Sequence, residues 1–437
     1  MIIQGQWQAA AYTISLKDSS LAVSIGEREV IVCDRAGRLY SFFTDNKHHR
    51  RSLSGQILQK FSIDEQRQRR WLDRSEADAL IDRAAQRLCD LIAAINSPDW
   101  IWLINPDSPE QLLEYQLIIE RGAQFDSAAA TWDAARFQSV YSPIGMLPPD
   151  QYLALVLQVT QGCTFNSCAF CDLYQQPFKV KTPLEFFRHI EEVRNYLGES
   201  ILLRQQSIFL GAANALAVPM ARLQPLLEIA AKEFRGFSRH SEPRRGEESL
   251  SNQAEILHGV YTARSRSAQD DKPEFYAFLD ALTGTHKTLS DYDTLKQLGL
   301  RRVYIGLETG HDPLLALVHK PGGSTDAIET VRTIKAAGIN VGVIVMIGLG
   351  GDRFNNGHTA DTASTLNAMH LGTGDLLYFS DLVERPNTAY PILAEEQSIR
   401  ALTPIEMAEQ RQSIRTQLAF SNEQPKISNY DIREFVY

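Results

Sequence analysis

The sequence predicts an α/β protein in which helices cover a mostly parallel sheet, open or closed into a barrel, behind a smaller N-terminal β meander with one helix. Three observations carry that reading. From about Tyr152 the chain repeats strand, loop and helix in six successive units. The strands are nearly continuous apolar runs, as strands buried on both faces require. Segments such as LKQLGL and IKAAGIN end a helix with glycine just before the next strand, a common way to reverse the chain.

Taken in order, the first part differs from the rest. YTISL, LAVSI, REVIVCD and RLYSFFT are short runs rich in Val, Ile, Tyr and Phe, broken by Gly, Asp and Lys, which predicts a meander. A helix is expected over 75–95, where Leu80, Ile81, Ala84, Leu88, Leu91, Ile92 and Ile95 recur at helical spacing. Ser75 with Asp78 reads as its N-cap. Cys33 in a strand-like run and Cys89 on the helix's apolar face are expected to be small buried hydrophobes. Strands then fall at 153–160, 207–210, 275–279, 302–307, 340–347 and 375–379, with helices at 184–197, 220–234, 291–298, 325–337 and 361–369. A last helix is expected over 404–419. The implied division is an N-terminal α+β part at 1–148, a core at 149–390 and a C-terminal helical extension at 391–437. One stretch, about 235–273, breaks the rhythm. Its mixture of Arg, Ser and Glu reads as a solvated insertion, with arginines available to an anionic substrate.

The totals narrow the function. The chain has 437 residues, 44% of them hydrophobic and 22% charged, as in a globular enzyme. A net charge of −9 leaves no broad electrostatic footprint for nucleic acid. The N-terminus lacks the basic-then-apolar layout of a secretory signal, and the longest apolar run, VGVIVMIGLGG, is far short of the roughly 18–20 residues a membrane helix needs. A cytoplasmic protein without a membrane span is expected. Only five cysteines are present, and three lie close together in QVTQGCTFNSCAFCDLY. In a reducing compartment such a cluster reads as metal binding.

Cys163, Cys168 and Cys171 form a C-x4-C-x2-C pattern after the first strand of the repeat. Structural zinc wants four ligands, and the loop offers no fourth Cys or His. His189, the nearest, belongs to a predicted helix and is expected to face solvent. A [4Fe–4S] cube gripped by three thiolates, with one iron open to a non-protein ligand, is the better match. Gly162 helps the backbone turn before the first cysteine, and Phe170 offers an apolar wall.

On GCTFNSCAFCDLY the sequence resembles the radical S-adenosylmethionine (SAM) superfamily, in which C-x3-C-x2-C with an aromatic residue before the last cysteine follows the first strand of a partial (β/α)6 TIM-like barrel. CAFC matches; the first gap is one residue longer. The stretch is most similar to the branch of oxygen-independent coproporphyrinogen oxidases, methylthiotransferases and elongator-type acetyltransferases. The resemblance implies that FLGAANAL takes the place of the glycine-rich motif for the amino and carboxylate groups of SAM, with Gly211, Ala212 and Ala213 admitting backbone approach and Asn214 as the polar side chain. The glutamate frequent in that motif is missing. In YIGLETG it implies Glu308 on the SAM ribose or amino group, with Thr309 assisting. In GVIVMIGLGG it implies Gly342, Ile344 and Met346 near adenine and a flexible Gly348–Gly351 turn, with Asp352 close to where an acidic residue is usual. LLYFSDLV is a candidate for backbone contacts to adenine.

The same resemblance implies an enzyme that uses a [4Fe–4S] cluster to cleave SAM reductively and abstract hydrogen from a substrate, with flavodoxin or ferredoxin as reductant. A small molecule or metabolite is the expected substrate. Cys33 and Cys89 are too few for a second complete cluster, and no D-x-H-x-x-G cobalamin signature stands in the N-terminal part. Asp172, Tyr174, Lys287 and Arg385 are candidate substrate contacts. NKHHRRSL and RQRRW are the one concentrated basic signal and keep an RNA substrate open as an alternative. A non-catalytic iron–sulfur electron carrier or regulator and a structural zinc site are the remaining readings.

Overall fold

The structure, a computed structural model, describes residues 2–63, 66–204, 207–211, 213–235, 272–385, 387–420 and 423–437. Ala212 and nearly all of the expected insertion lie outside the described residues.

Strands β1 (Ile2–Trp7), β2 (Ala10–Leu16), β3 (Ser20–Ile25), β4 (Glu29–Asp34), β5 (Leu39–Thr44), β6 (Lys47–Arg51), β7 (Ile57–Ile63) and β8 (Gln66–Trp71) form an antiparallel meander, and β9 (Ile101–Ile104) adds beside β1. Alternation puts Tyr12, Ile14, Leu16, Leu21, Val23, Ile31 and Cys33 on the buried face. Helices α1 (Arg74–Ile95), α2 (Pro109–Ala123) and α3 (Ser127–Val140) follow. The α1 cap is Asp73 with Glu76 in a capping box, two residues earlier than the Ser75 signal. Cys33 is buried as expected, but Cys89 is exposed. The buried stripe of α1 runs through Ile81, Ala84, Leu88 and Leu91, and Cys89 lies one residue, about 100°, off it.

The second part is built on β10 (Leu155–Gln158), the short β11 (Thr160–Gln161) and β12 (Lys179–Val180), then α4 (Pro183–Leu197), β13 (Ile208–Gly211), α5 (Met220–Glu233), β14 (Phe275–Leu279), α6 (Ala281–Gly284), α7 (Leu289–Gln297), β15 (Leu300–Glu308), α8 (Asp312–Leu317), α9 (Ser324–Ala336), β16 (Asn340–Ile347), α10 (Gly351–Ala368), β17 (Leu376–Asp381), α11 (Tyr390–Glu396), α12 (Pro404–Thr416) and β18 (Lys426–Tyr430). Seven strands form an all-parallel sheet in the order β10-β13-β14-β15-β16-β17-β18. All six expected strands are present. The seventh, β18, belongs to the C-terminal extension, which was expected to be helical and is helical only in part. Helix α10 starts ten residues before the expected 361, because the glycine turn after β16 feeds it directly.

Tyrosines close the floor of this partial barrel. Asp150 accepts hydrogen bonds from Tyr304 (2.5 Å) and Tyr378 (2.8 Å) and pairs with Arg302 (2.9 Å). Above that hub the rings of Phe209, Phe278 and Tyr304 pack with centroids 5.2–6.0 Å apart. Gly342, a candidate adenine neighbour, lies opposite Tyr304, and any Cβ there would collide with the Tyr304 ring. It makes room for the floor. The register of β15 shifts between Gly306 and Glu308, and the Glu308 carboxylate lies where a Cβ of Gly306 would point, at the C-terminal mouth.

The open edge of β10 is satisfied by side chains. Val156 N–H donates to Tyr437 Oη (3.0 Å), Tyr141 Oη donates to Val156 O (3.0 Å), and Gln158 N–H donates to His189 Nε2 (3.1 Å). Such capping replaces the ladder a neighbouring strand would give. His189 is therefore buried, contrary to the expectation that it faces solvent. The apolar stripe of α4 (Phe186, Ile190, Val193) turns it onto β10.

Burial lowers the His189 pKa to about 3, below the roughly 6.5 of an unfolded histidine. As pH falls through the unfolded value only the unfolded chain takes up the proton. The stability His189 contributes is complete above that value and declines toward the folded one, at up to about 1.4 kcal/mol per pH unit. His358, also lowered by burial to about 4, acts in the same direction. His189→Gln, which retains an acceptor for Gln158 N–H, is expected to flatten the loss of urea midpoint between neutral and mildly acidic pH. An unchanged slope would refute the assignment.

Candidate functional site

The three cysteines occupy a loop that the fold holds at both ends. Its base is clasped by β11 and β12, which pair Thr160 with Val180 and Gln161 with Lys179. Gly162 has φ +69°, and a Cβ there would collide with the backbone carbonyl of Gln176, so glycine is required. Within the loop, Thr164 Oγ1 accepts from Asn214 Nδ2 (2.7 Å) and Ser167 Oγ donates to His319 O (3.1 Å). Ala169 N–H donates to Val318 O (2.9 Å), and Ala169 O accepts from Tyr390 N–H (2.9 Å). None of these bonds uses sulfur.

All three thiols are free and half-buried. Burial pushes Cys168 up to about 11 and raises Cys171 as well; a nearby ammonium, Lys320, opposes the rise and the Glu308 carboxylate adds to it. A single tetrahedral metal ion would draw its sulfurs to about 4 Å from one another. Among the described residues no three His, Cys, Asp or Glu side chains are grouped to hold one ion. A group with several metal atoms can take one thiolate from each of three cysteines on such a loop.

Glu308 ends β15 in the left-handed region (φ +61°) and is only 9% exposed. Its Oε1 lies 3.3 Å from Lys320 Nζ, and a Cβ on Gly306 would strike that carboxylate. Burial alone would lower the Lys320 pKa, but Glu308, then Cys168, raise it, so the ammonium stays charged. A buried carboxylate and ammonium thus face the cysteine loop from the strand end.

The other expected site residues divide. Phe170 and Met346 pack into one apolar cluster with Ala169, Leu314, Val318 and Tyr390, and Ile344 lies beside Gly306 on the neighbouring strand. Asn214 has its polar atoms bound within the protein. Its Nδ2 donates to Thr164 and Asp280, and its Oδ1 accepts from Asp280 N–H (3.0 Å). It joins the cysteine loop to the ends of β13 and β14. Ala213 is half-buried at that turn. Gly211 meets β10, where a Cβ would stand 3.2 Å from Val156 Cγ1. Thr309 is turned away from the mouth, its Oγ1 accepting from His311 N–H (3.0 Å) and lying beside Thr362 of α10.

The Gly348–Gly351 turn is tied down, with Gly348 N–H on Gln410 Oε1 (2.8 Å) and Gly350 N–H on Tyr390 Oη (2.9 Å). Asp352 faces Arg400 instead of the mouth. Among the candidate substrate contacts, Asp172 and Arg385 pair with each other at 2.7 Å, Lys287 donates to Val218 O (2.8 Å), and burial raises the Tyr174 pKa. Sequence reasoning missed Asp280 and Lys320. Asp280 directly follows the expected strand at 275–279, so its place at the mouth was legible. Lys320 lies between helices and carried no signal.

Residues 157–363 match the family described as the radical SAM superfamily. No curated protein matches the chain. Among solved structures it is similar to the cobalamin-dependent SAM radical enzyme OxsB, at 13% identity and TM-score 0.36, covering 63% of this chain and 32% of that one. It is also similar to the radical SAM methyltransferase TsrM from Kitasatospora setae (16% identity, TM-score 0.37, 56% of this chain and 37% of that one). Coproporphyrinogen III oxidase from Escherichia coli, a radical SAM enzyme, is matched at 14% identity and TM-score 0.36, over 65% of this chain and 54% of that one. The chain thus spans about a third of the length of the first of these structures. No described helix is long and apolar enough to cross a membrane. The family match thus covers the part of the chain that carries the cysteine loop, β13 to β16 and Glu308.

Proposed function

We propose that the chain abstracts hydrogen from a small-molecule or metabolite substrate at the C-terminal mouth of its partial barrel, with Cys163, Cys168 and Cys171 as the cluster's protein ligands. The observation that carries this reading is the juxtaposition of a three-thiol loop with the buried Glu308–Lys320 pair. When bound, the cluster would supply the electron for reductive cleavage of SAM, the chemistry on which hydrogen abstraction depends. The residues bind and exclude. Lys320 offers an ammonium to the SAM carboxylate, and Glu308 accepts from its amino group or ribose hydroxyls. Phe170, Ile344 and Met346 give adenine an apolar wall. The Asp150 hub and the aromatic floor keep water from entering below. Arg385 and Asp172, already paired beside the loop, are placed to meet polar groups of the substrate. A flavodoxin- or ferredoxin-type reductant and a cytoplasmic setting belong to the same proposal.

RNA is the weaker reading because half of the arginine and lysine side chains in its basic signal, and Lys60 nearby, are paired within the protein. Arg51 pairs with Asp133, Arg70 with Glu76, and Arg69 and Lys60 with Asp431 and Glu434.

Anaerobic reconstitution followed by SAM and dithionite is the test. Production of 5′-deoxyadenosine supports the enzyme, an inert cluster favours an electron carrier, and stoichiometric zinc without iron uptake favours a structural site. Deuterium transfer from candidate metabolites into 5′-deoxyadenosine then identifies the substrate. Glu308→Gln is expected to retain iron while weakening SAM binding about 10- to 100-fold, the loss of a charge-assisted hydrogen bond. Unaltered SAM affinity in a direct binding titration would remove Glu308 from the site.

A further inference from the structure

We propose that the seam between the N-terminal sheet and the barrel holds one small monovalent anion of the halide class, bound by Arg51 and Arg204 with Arg38 beside them. The seam encloses a cavity lined by Asp34, Arg38, Arg51, Leu53, Ser200 and Arg204, among others. The centre of a water-sized sphere has about 20 Å³ in which to move there, enough for a single small occupant.

Two observations point to an occupant. Arg51 is 5% exposed and Arg204 4% exposed. Each nevertheless has a buried guanidinium nitrogen, Nε of Arg51 and Nη1 of Arg204, with no hydrogen-bond partner. A buried cationic donor without an acceptor is costly, and arginine cannot escape by losing its proton.

The neighbouring acceptors are already engaged. Asp133 takes Arg38 Nε (2.6 Å) and Arg51 Nη2 (2.9 Å). Asp34 Oδ1 takes the backbone N–H groups of Ala36 and Arg38, both at 3.0 Å. Ser200 Oγ accepts from Arg38 Nη1 (2.8 Å) and is hydrogen-bonded to Asp34. Arg38 pairs with Asp34 and Asp133 and Arg51 with Asp133, whereas no ion pair engages Arg204 among the described residues. A water molecule taking both free donors must place its own protons as well; a monovalent anion accepts from both and brings no proton.

The site also joins two parts of the chain. Arg51 belongs to β6, whereas Arg204 follows α4 and places its guanidinium 3.9 Å from the centroid of the Tyr437 ring. Tyr437 in turn caps β10, the strand that leads to the cysteine loop. The anion would pin the N-terminal sheet to that strand.

The test uses the reconstituted full-length protein at constant ionic strength, with sodium bromide, sodium chloride or sodium gluconate as the only salt. A thermal midpoint several degrees higher in either halide, saturating with concentration, is expected. Arg204→Met, which retains an aliphatic stem over Tyr437, should abolish the halide dependence. Crystals grown in bromide should show an anomalous peak between Arg51 and Arg204. Identical midpoints in all three salts, with ordinary water density in the cavity, would overturn the proposal. A halide response that persists in Arg204→Met would overturn it too, because the effect would arise elsewhere.

Discussion

Cys168→Ala is expected to yield a folded protein that takes up no [4Fe–4S] cluster and produces no 5′-deoxyadenosine. With one of three thiolates gone, the remaining two leave two irons without a protein ligand. The fold survives because the loop does not depend on sulfur. Its restraints are the Ala169–Val318 and Tyr390–Ala169 backbone bonds, the Ser167 and Thr164 hydroxyls and the clasp of β11 and β12. Iron and sulfide assays, the cluster's visible absorbance and near-ultraviolet circular dichroism provide the readout. Full iron content in the variant would show that Cys168 is not a ligand. The same outcome is expected for Cys163→Ala and Cys171→Ala.

Asp133→Asn is expected to destabilise the protein by about 3–5 kcal/mol, the cost of breaking a buried ion pair from one side. Asp133 is 3% exposed and holds both Arg38 and Arg51. Arg38 simultaneously donates to the carbonyls of Tyr196 and Leu197 at the end of α4 (2.6 and 3.2 Å). Asparagine retains the shape and one acceptor but leaves Arg51 without a carboxylate and Arg38 with Asp34 alone where the two parts of the chain meet. Against a total stability of roughly 5–15 kcal/mol the loss is large. Urea unfolding at neutral pH measures it, and a midpoint equal to that of the unaltered protein would mean the arginines reach solvent in the folded state.

Periodic and short-range features were readable without coordinates. The strands at 275–279 and 340–347 have the expected bounds, because runs such as FYAFL and NVGVIVMI have no polar face to offer water and must be covered on both sides. The cysteine spacing and the glycine before it were equally plain, since a turn requiring φ > 0 is a local demand.

Errors arose where a residue's partner lies far along the chain. His189 looked solvent-facing because nothing near it in sequence announces the bare edge of β10. The strand β18 was missed because KISNY becomes a strand by pairing with β17.

The site follows the same division. By itself, the amino-acid order determined which thiols could take a cluster and that Glu308 ends a barrel strand, because a thiolate's chemistry and a strand's period belong to a few consecutive residues. Only the tertiary structure decided that Lys320 compensates Glu308, that Asn214 is a scaffold with its polar atoms committed to Thr164 and Asp280, and that Arg51 and Arg204 converge on one cavity. These outcomes depend on burial and charge balance among distant segments, and both exist only once the chain has folded.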